Sequence, residues 1–271
     1  EQKKEIEAII SNSEAPTFEN TVVALDQCGK LLRRVRGTFS PLSSSNSTEE
    51  MRALQKEMSP LFSAHNDDIY LNEQLFARVK AVYDSRESLT LTAEEAKILE
   101  NIYKRFVNSG ANLNEEQKAR LQKINEELSL LTVKFDNNLL AETNDFKLEL
   151  AAKEVNDLPK AVRDMAKDGD NENKYIFTLH KPSMIPFLTL SPNRAAREEI
   201  YRAYLNRGNN ENKHDNKAII NDMIRLRIEK ANLLGYKSYA DYVTSEQMAG
   251  SPSAVYGLLE GIFTQANEKA K

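Results

Sequence analysis

The residues able to carry metal or acid–base chemistry are few in this sequence, and they stand apart from one another. None of the three histidines has a second histidine three or four residues away, the spacing that places two imidazoles on one helix face. These histidines are His65, His180 and His214. Because two carboxylates follow the first of them, a site of His65, Asp67 and Asp68 is the one local metal hypothesis. Isolated histidines in loops or at helix ends are more typical of structural roles, which we expect here.

Signatures of nucleophilic and phosphate chemistry are absent from the 271 residues. The sequence contains no H-E-x-x-H, no G-x-S-x-G and no glycine-rich phosphate loop. The single Cys28 excludes an internal disulfide, and its place on an apolar helix stripe favours a core residue. Charged groups on helix faces indicate capping and surface ion pairs, and these are Glu94 with Glu95, Glu198 with Glu199, and Arg225 and Arg227 with Glu229. The sequence assigns no catalytic residue and no metal ligand, and it leaves the substrate-binding residues unknown.

Composition and charge narrow the class of protein. Hydrophobic residues make up 40% and charged residues 29%, and only 9 Gly and 8 Pro are present, which favours a helical globular fold over a turn-rich β fold. The net charge is -4 and basic residues alternate with acidic ones, so we predict no nucleic-acid partner. No apolar run approaches the ~20 residues that cross a bilayer, and no leader opens the chain. We therefore predict no membrane partner, and a location in the cytoplasm or periplasm.

Helical periodicity dominates the first half of the chain. A helix beginning after Thr17 is predicted to bury one continuous stripe, formed by Phe18, Val22, Leu25, Cys28, Leu32, Val35 and Phe39. The segment PLSSSNS is predicted to be a loop, followed by a capping box of Ser47 with Glu50 and by a kink at Pro60. Further helices are predicted to begin at Asn72, at Thr92 with Glu95, and at Asn114.

A change of period marks the second half. Phe146, Leu148 and Leu150 alternate with polar residues, which predicts a strand, and KYIFTL and IPFLTL are predicted to form two more. Helices are then expected from a Ser191 cap with Pro192, and from about residue 215 to a stop at Gly235. The predicted class is mainly α, a multi-helix bundle with a small antiparallel β element around residues 145–190. The predicted parts are a helical bundle (1–144), a β-containing insert (145–190) and a helical segment (191–271).

Three ordered stretches resemble a known enzyme family. They are EAPTFENTVVALDQCGKLL, LFSAHNDDIYLNEQLFARVKAVYD, and a last one with NRAAREEIYRAYLNRG, KANLLGY and QMA elements. Together they resemble the amino-terminal half of the thimet-oligopeptidase-like zinc metallopeptidases, in the branch of the bacterial peptidyl-dipeptidases and oligopeptidase A. The resemblance implies the amino-terminal lobe of a two-lobed helical peptidase. It also implies a deep channel, short peptide substrates that lose a C-terminal dipeptide, and a zinc ion held by H-E-x-x-H.

The missing H-E-x-x-H decides what this resemblance can carry over. In the family that motif belongs to the carboxyl-terminal half, so no zinc ligand and no catalytic residue transfers to this chain. Because neither end shows a helix cap, we expect a segment of a longer polypeptide. It would be inactive alone, without bound zinc, and partnered by the catalytic half of the same protein. One alternative is a free-standing helical scaffold or peptide-binding protein, and a more remote one is a metal enzyme using His65, Asp67 and Asp68.

Overall fold

The computed structural model describes residues 1–171 and 173–270, and these are mainly helical, which confirms the predicted class. The α-helices are, in chain order, α1 (Gln2–Ile10), α2 (Ala24–Gln27), α3 (Lys30–Ser45), α4 (Glu49–Tyr70), α5 (Glu73–Asp84), α6 (Ala93–Asn108), α7 (Glu115–Asp145), α8 (Ala152–Val155), α9 (Lys160–Ala166), α10 (Lys181–Leu190), α11 (Arg194–Leu205), α12 (Lys217–Leu233), α13 (Tyr239–Thr244) and α14 (Pro252–Ala270). A π-helical turn (Phe18–Val23) precedes α2 and a 3₁₀ turn (Arg86–Ser88) follows α5. Two strands, β1 (Leu148–Ala151) and β2 (Lys174–Phe177), pair antiparallel. Within the described residues, no helix is both long enough and apolar enough for a bilayer.

The chain divides into two compact units. One contains residues 1–130 together with those from 223 onward, and the other contains residues 131–222. Two long helices, α7 and α12, each include a boundary between the units. The predicted parts 1–144, 145–190 and 191–271 follow the sequence order and have other bounds, so that division stays a prediction.

The core of the first unit is built on aromatic side chains. Phe106 is fully buried, and the ring of Tyr70 meets it edge-on with centroids 5.0 Å apart. Leu75 and Val79, also fully buried, belong to the same cluster. These residues fall on the stripes of α4, α5 and α6, so amphipathic periodicity brings three helices onto one core. The predicted helix starts at Asn72 and at Thr92 with Glu95 are confirmed, the second as a full capping box.

The first predicted stripe is broken where Gly29 follows Cys28. Thr17 caps the π-helical turn as predicted, but Cys28 is extended and Gly29 has a φ of +70°. The Gly29 amide donates to the Glu5 carboxylate (2.7 Å), which fixes the break against α1. A new helix, α3, begins at the next residue and has no buried residue, so the predicted burial of the stripe as far as Phe39 is wrong.

The predicted loop after α3 is also wrong, because the helix continues to Ser45. Its end is rich in serine, and the hydroxyls of Ser44 and Ser45 donate to the carbonyls of Ser40 (2.9 Å) and Pro41 (2.8 Å). Such bonds give carbonyls of the last turns a second donor, as serine hydroxyls commonly do within helices. A serine-rich sequence occurs both in loops and at helix ends of this kind, so composition alone does not distinguish them.

The next helix, α4, differs from prediction in its cap and in its continuity. The cap is Thr48, whose hydroxyl accepts from the Met51 amide (3.2 Å), one residue after the predicted Ser47. Pro60 lies inside the helix and does not interrupt it. The carbonyl that loses its partner there belongs to the exposed Lys56, where water can replace the missing N–H.

The small sheet has two strands, and the third predicted strand is a helix. Residues 185–190 (IPFLTL) belong to α10, and the fully buried Phe187 packs on Phe177 of β2, with ring centroids 4.3 Å apart. Because a short apolar run has the same composition in a buried helix and a buried strand, periodicity alone cannot separate them. The predicted Ser191 cap is wrong as well, since Asn193 accepts from the Ala196 amide and caps α11.

The predicted stop at Gly235 is confirmed as a left-handed helix end. Its φ is +82°, its amide donates to the Asn232 carbonyl (3.0 Å), and the Tyr236 amide donates to the Ala231 carbonyl (2.9 Å). This pair of bonds is the Schellman arrangement, which favours glycine at the left-handed position.

We expect Gly235→Val to lower the free energy of unfolding by about 1–2 kcal/mol, because a β-branched residue is strained at positive φ. A Cβ at this position would meet no atom within 4 Å, so backbone strain alone should produce the loss. Urea denaturation measures it, with Gly235→Asn as the control, since asparagine tolerates this conformation. Equal stability of the valine and asparagine variants would contradict the assignment.

Candidate functional site

The metal hypothesis on α4 fails because its three side chains bind separate partners. His65 Nε2 lies 2.8 Å from Gln2 Oε1, and Asp68 accepts from Lys3 Nζ at 2.7 Å. Asp67 instead accepts from the side-chain amide of Asn125 at 2.8 Å. Across residues 1–171 and 173–270, no three His, Cys, Asp or Glu side chains are grouped as a metal site requires.

The remaining histidines and the cysteine occupy structural positions. The His180 carbonyl accepts from the Ser183 and Met184 amides at the start of α10, and the His214 amide donates to the Asn212 side chain (2.7 Å) in a loop. Cys28 is 5% exposed, with Sγ 3.1 Å from the carbonyl of Ala24. Burial, followed by the nearby Glu5 carboxylate, raises the pKa of this thiol. A thiol with a raised pKa is a poor nucleophile, which fits a core role.

The charged groups singled out in the sequence make caps and ion pairs. Glu95 completes its capping box, and hydrogen bonds from Thr92 lower its pKa, while Glu198 accepts from Arg202 (2.7 Å). Glu229 has a partner that sequence spacing does not indicate, since Arg120 on α7 donates to both of its oxygens, one at 2.7 Å. That hydrogen bond holds the pKa of Glu229 below its usual value.

A buried polar chain joins α4, α7 and α12. Asn125 donates to Asp67, and its carbonyl oxygen accepts from Lys230 Nζ at 2.7 Å. Asp67 is 5% exposed, and burial raises its pKa to about 6 despite the Asn125 hydrogen bond. Burial also lowers the pKa of Lys230. Both titratable ends of this chain are desolvated, and its hydrogen bonds fix the three helices together.

The turn after α12 is anchored through Asn108 on α6. The Tyr236 hydroxyl donates to the side-chain carbonyl of Asn108 (2.8 Å), whose amide donates to Glu246 (3.2 Å). Lys230 and Tyr236 belong to the KANLLGY element. The KANLLGY element therefore supplies residues that anchor helices to one another.

The second unit contains a buried carboxylate whose two oxygens accept hydrogen bonds from one loop. Glu142 on α7 is 7% exposed, and it accepts from the Gly208 amide and from the side chains of Asn210 (2.9 Å) and Asn212 (2.7 Å). Although burial raises the pKa of Glu142, these hydrogen bonds outweigh burial and lower it. With its oxygens so engaged, Glu142 is a structural anion and not a general base.

Comparison with known proteins agrees with the motifs. Residues 187–271 match peptidase family M3. The chain is similar to dipeptidyl carboxypeptidase of Escherichia coli, with 34% identity over 276 residues that cover 100% of this chain and 40% of the relative. It is also similar to oligopeptidase A of Haemophilus influenzae, with 31% identity over 263 residues that cover 94% of this chain and 39% of the relative. The chain thus spans about 40% of the length of these relatives. These matches confirm the resemblance found in the sequence, and the chain belongs to peptidase family M3.

Proposed function

We propose that this chain is the amino-terminal, non-catalytic part of a zinc-dependent peptidase that releases C-terminal dipeptides from short peptides. Its role would be to form one wall of the substrate channel. The observation that carries the proposal is a match along the full chain to peptidases about two and a half times as long, combined with the absence of H-E-x-x-H.

The donor groups support placing zinc elsewhere in the polypeptide. Glu142 and Asp67 are each engaged in hydrogen bonds, and the described residues show no convergent set of ligands. The metal and its water would belong to the carboxyl-terminal half, which is the proposed partner.

The surface of α14 supports a covering partner of this kind. Five of its large apolar side chains are 53–69% exposed, and these are Tyr256, Leu258, Leu259, Ile262 and Phe263. These five positions lie on one broad side of the helix, and an apolar side of this kind typically packs against another element. The proposed catalytic half would cover it.

We expect purified 1–271 to bind no stoichiometric zinc and to leave a quenched-fluorescence peptide intact. The positive control is the longer polypeptide that contains H-E-x-x-H, measured by elemental analysis and by the same assay. Zinc at one ion per chain together with chelator-sensitive cleavage by 1–271 would overturn the proposal. A coding sequence that stops after Lys271 would favour the free-standing scaffold instead.

A further inference from the structure

One face of α11 in the second unit forms a cationic groove. The cavity has a volume of about 520 Å³. Its principal lining residues, which define the α11 groove, are Leu188, Arg194, Arg197, Tyr201, Arg202 and Leu205. Arg194, Arg197, Tyr201 and Leu205 follow one another at spacings of three or four residues, so they share one side of the helix, and Arg202 lies beside Tyr201 at its edge.

The first residue of α11 carries a positive charge at the positive end of the helix dipole. Arg194 opens the helix, and the first turn contains no acidic residue. The amino terminus of a helix carries a partial positive charge that favours anions, so an arginine there is unfavourable. Within the described residues the Arg194 side chain has no hydrogen bond or ion pair that offsets this cost. A bound anion would supply the missing counter-charge.

The groove keeps an excess of positive charge after its internal pairs are counted. Three arginines line it against one carboxylate, Glu198, and that carboxylate pairs with Arg202. Arg197 is partly buried, and its Nη1 donates to the carbonyl of the buried Ser191. That bond uses one of five N–H donors and fixes the guanidinium in place. Arg194 and Arg197 are therefore the two cations available to a ligand.

Apolar surface beside these cations favours a ligand that also carries apolar groups. Tyr201 is 52% exposed and Leu205 is 60% exposed, and both line the groove. Side chains of this kind contact aliphatic or aromatic groups and the flat face of a peptide bond. The combination is complementary to a peptide that carries carboxylates next to apolar residues.

We propose that the α11 groove binds a short acidic peptide. From Arg194 to Arg202 the helix rises ~12 Å, at about 1.5 Å per residue. An extended peptide of about four residues covers that distance at ~3.3 Å per residue. Its carboxylates would accept paired N–H donors from Arg194 and Arg197, and its apolar side chains would contact Tyr201 and Leu205. The groove lies wholly in this chain, so its binding does not depend on the proposed zinc chemistry.

The test compares two fluorescein-labelled peptides by fluorescence anisotropy with the 271-residue chain. One is Glu-Leu-Leu-Glu and the other is the matched Gln-Leu-Leu-Gln amide. We expect the acidic peptide to bind at least about tenfold more tightly, and Arg194→Gln to weaken it about tenfold, as for loss of a charged hydrogen-bond pair. Arg34→Gln removes an exposed arginine from α3 in the other unit, so it should leave the affinity unchanged.

Equal affinity for the two peptides would overturn the proposal, and so would equal effects of Arg194→Gln and Arg34→Gln on that affinity. A third contrary result is that inorganic phosphate displaces the labelled peptide at the same concentration as unlabelled acidic peptide does. The last would indicate a small-anion site. Unchanged thermal unfolding of Arg194→Gln shows that its weaker binding is not a loss of fold. If 1–271 binds zinc and cleaves the peptide substrate, the proposed function is overturned. Binding of the acidic peptide to the α11 groove would still support this inference, so the two proposals can fail separately.

Discussion

Glu142→Ala should lower the free energy of unfolding by about 3 kcal/mol, the largest loss that we expect from a single carboxylate. The substitution would strand the Gly208 amide and the side chains of Asn210 and Asn212, which all donate to this carboxylate. A buried donor left without an acceptor costs about 1–3 kcal/mol, and local relaxation recovers part of the sum over three donors.

The effect should concentrate on the loop that Glu142 holds. In Glu142→Ala the Gly208 amide should exchange with solvent deuterium much faster, while the amides of α6 keep their rates. Because the folded-state pKa of Glu142 is lowered, its contribution is present above the usual carboxyl pKa near 4.5 and is lost as the pH falls through the folded-state value. Urea denaturation at pH 7 and at lower pH checks both statements.

A matched control separates this role from the removal of any glutamate. Glu199→Ala removes an exposed carboxylate from α11 and should change stability by less than about 0.5 kcal/mol. Glu142→Gln keeps an acceptor but loses the charge, so we expect a loss between those of the two alanine variants. If both alanine variants unfold at the same urea concentration, Glu142 does not hold the loop.

Local chemistry made the helix starts at Asn72 and Thr92 predictable. Asn72 and Thr92 cap their helices through bonds to residues three positions away, so the donor and the acceptor can be read in the same short segment. The stop at Gly235 is local for the same reason. At these three positions the deciding interaction lies within one turn, and the sequence was sufficient.

Tertiary contacts determine the secondary structure of the segments that were predicted wrongly. Residues 185–190 became a helix because Phe187 packs on Phe177 in a core that the sequence does not display. The helix that was expected to run on from Thr17 is broken by a bond from Gly29 to Glu5, which lies 24 residues earlier. Neither contact has a local signature, and propensity gives way to packing in such cases.

The perturbed polar groups were even less accessible to sequence reasoning. In the sequence Asp67 stands out only as a neighbour of His65, yet its partner Asn125 lies 58 residues away. Lys230 reaches the same asparagine from 105 residues away. The motif resemblance located the KANLLGY element, but only the structure shows that Lys230 within it is linked through Asn125 to a buried carboxylate.

Asp67 should make the protein less stable as the pH rises from about 4 to about 7. Burial raises its pKa from 3.8 to about 6, with the Asp68 charge adding to the rise and with Asn125 and Lys230 opposing it. Between these two values the unfolded carboxyl is ionised while the folded one keeps its proton. The unfolded state then binds fewer protons, so stability falls by up to about 1.4 kcal/mol per pH unit, or about 3 kcal/mol in total.

Asp67→Asn removes this dependence because the amide does not titrate and still offers an oxygen to Asn125. We expect the variant to match the wild type near pH 4 and to exceed it by about 3 kcal/mol at pH 7 in urea denaturation. Measurements stop at pH 7 to limit the contribution of Lys230, whose pKa burial lowers from 10.5.

Asp68→Asn, which alters the half-exposed carboxylate paired with Lys3, should shift stability by less than about 1 kcal/mol at any pH. A carbon-13 titration of the Asp67 carboxyl gives the decisive reading. A midpoint near 4, or a constant difference between Asp67→Asn and wild type across this range, would show that Asp67 is not desolvated.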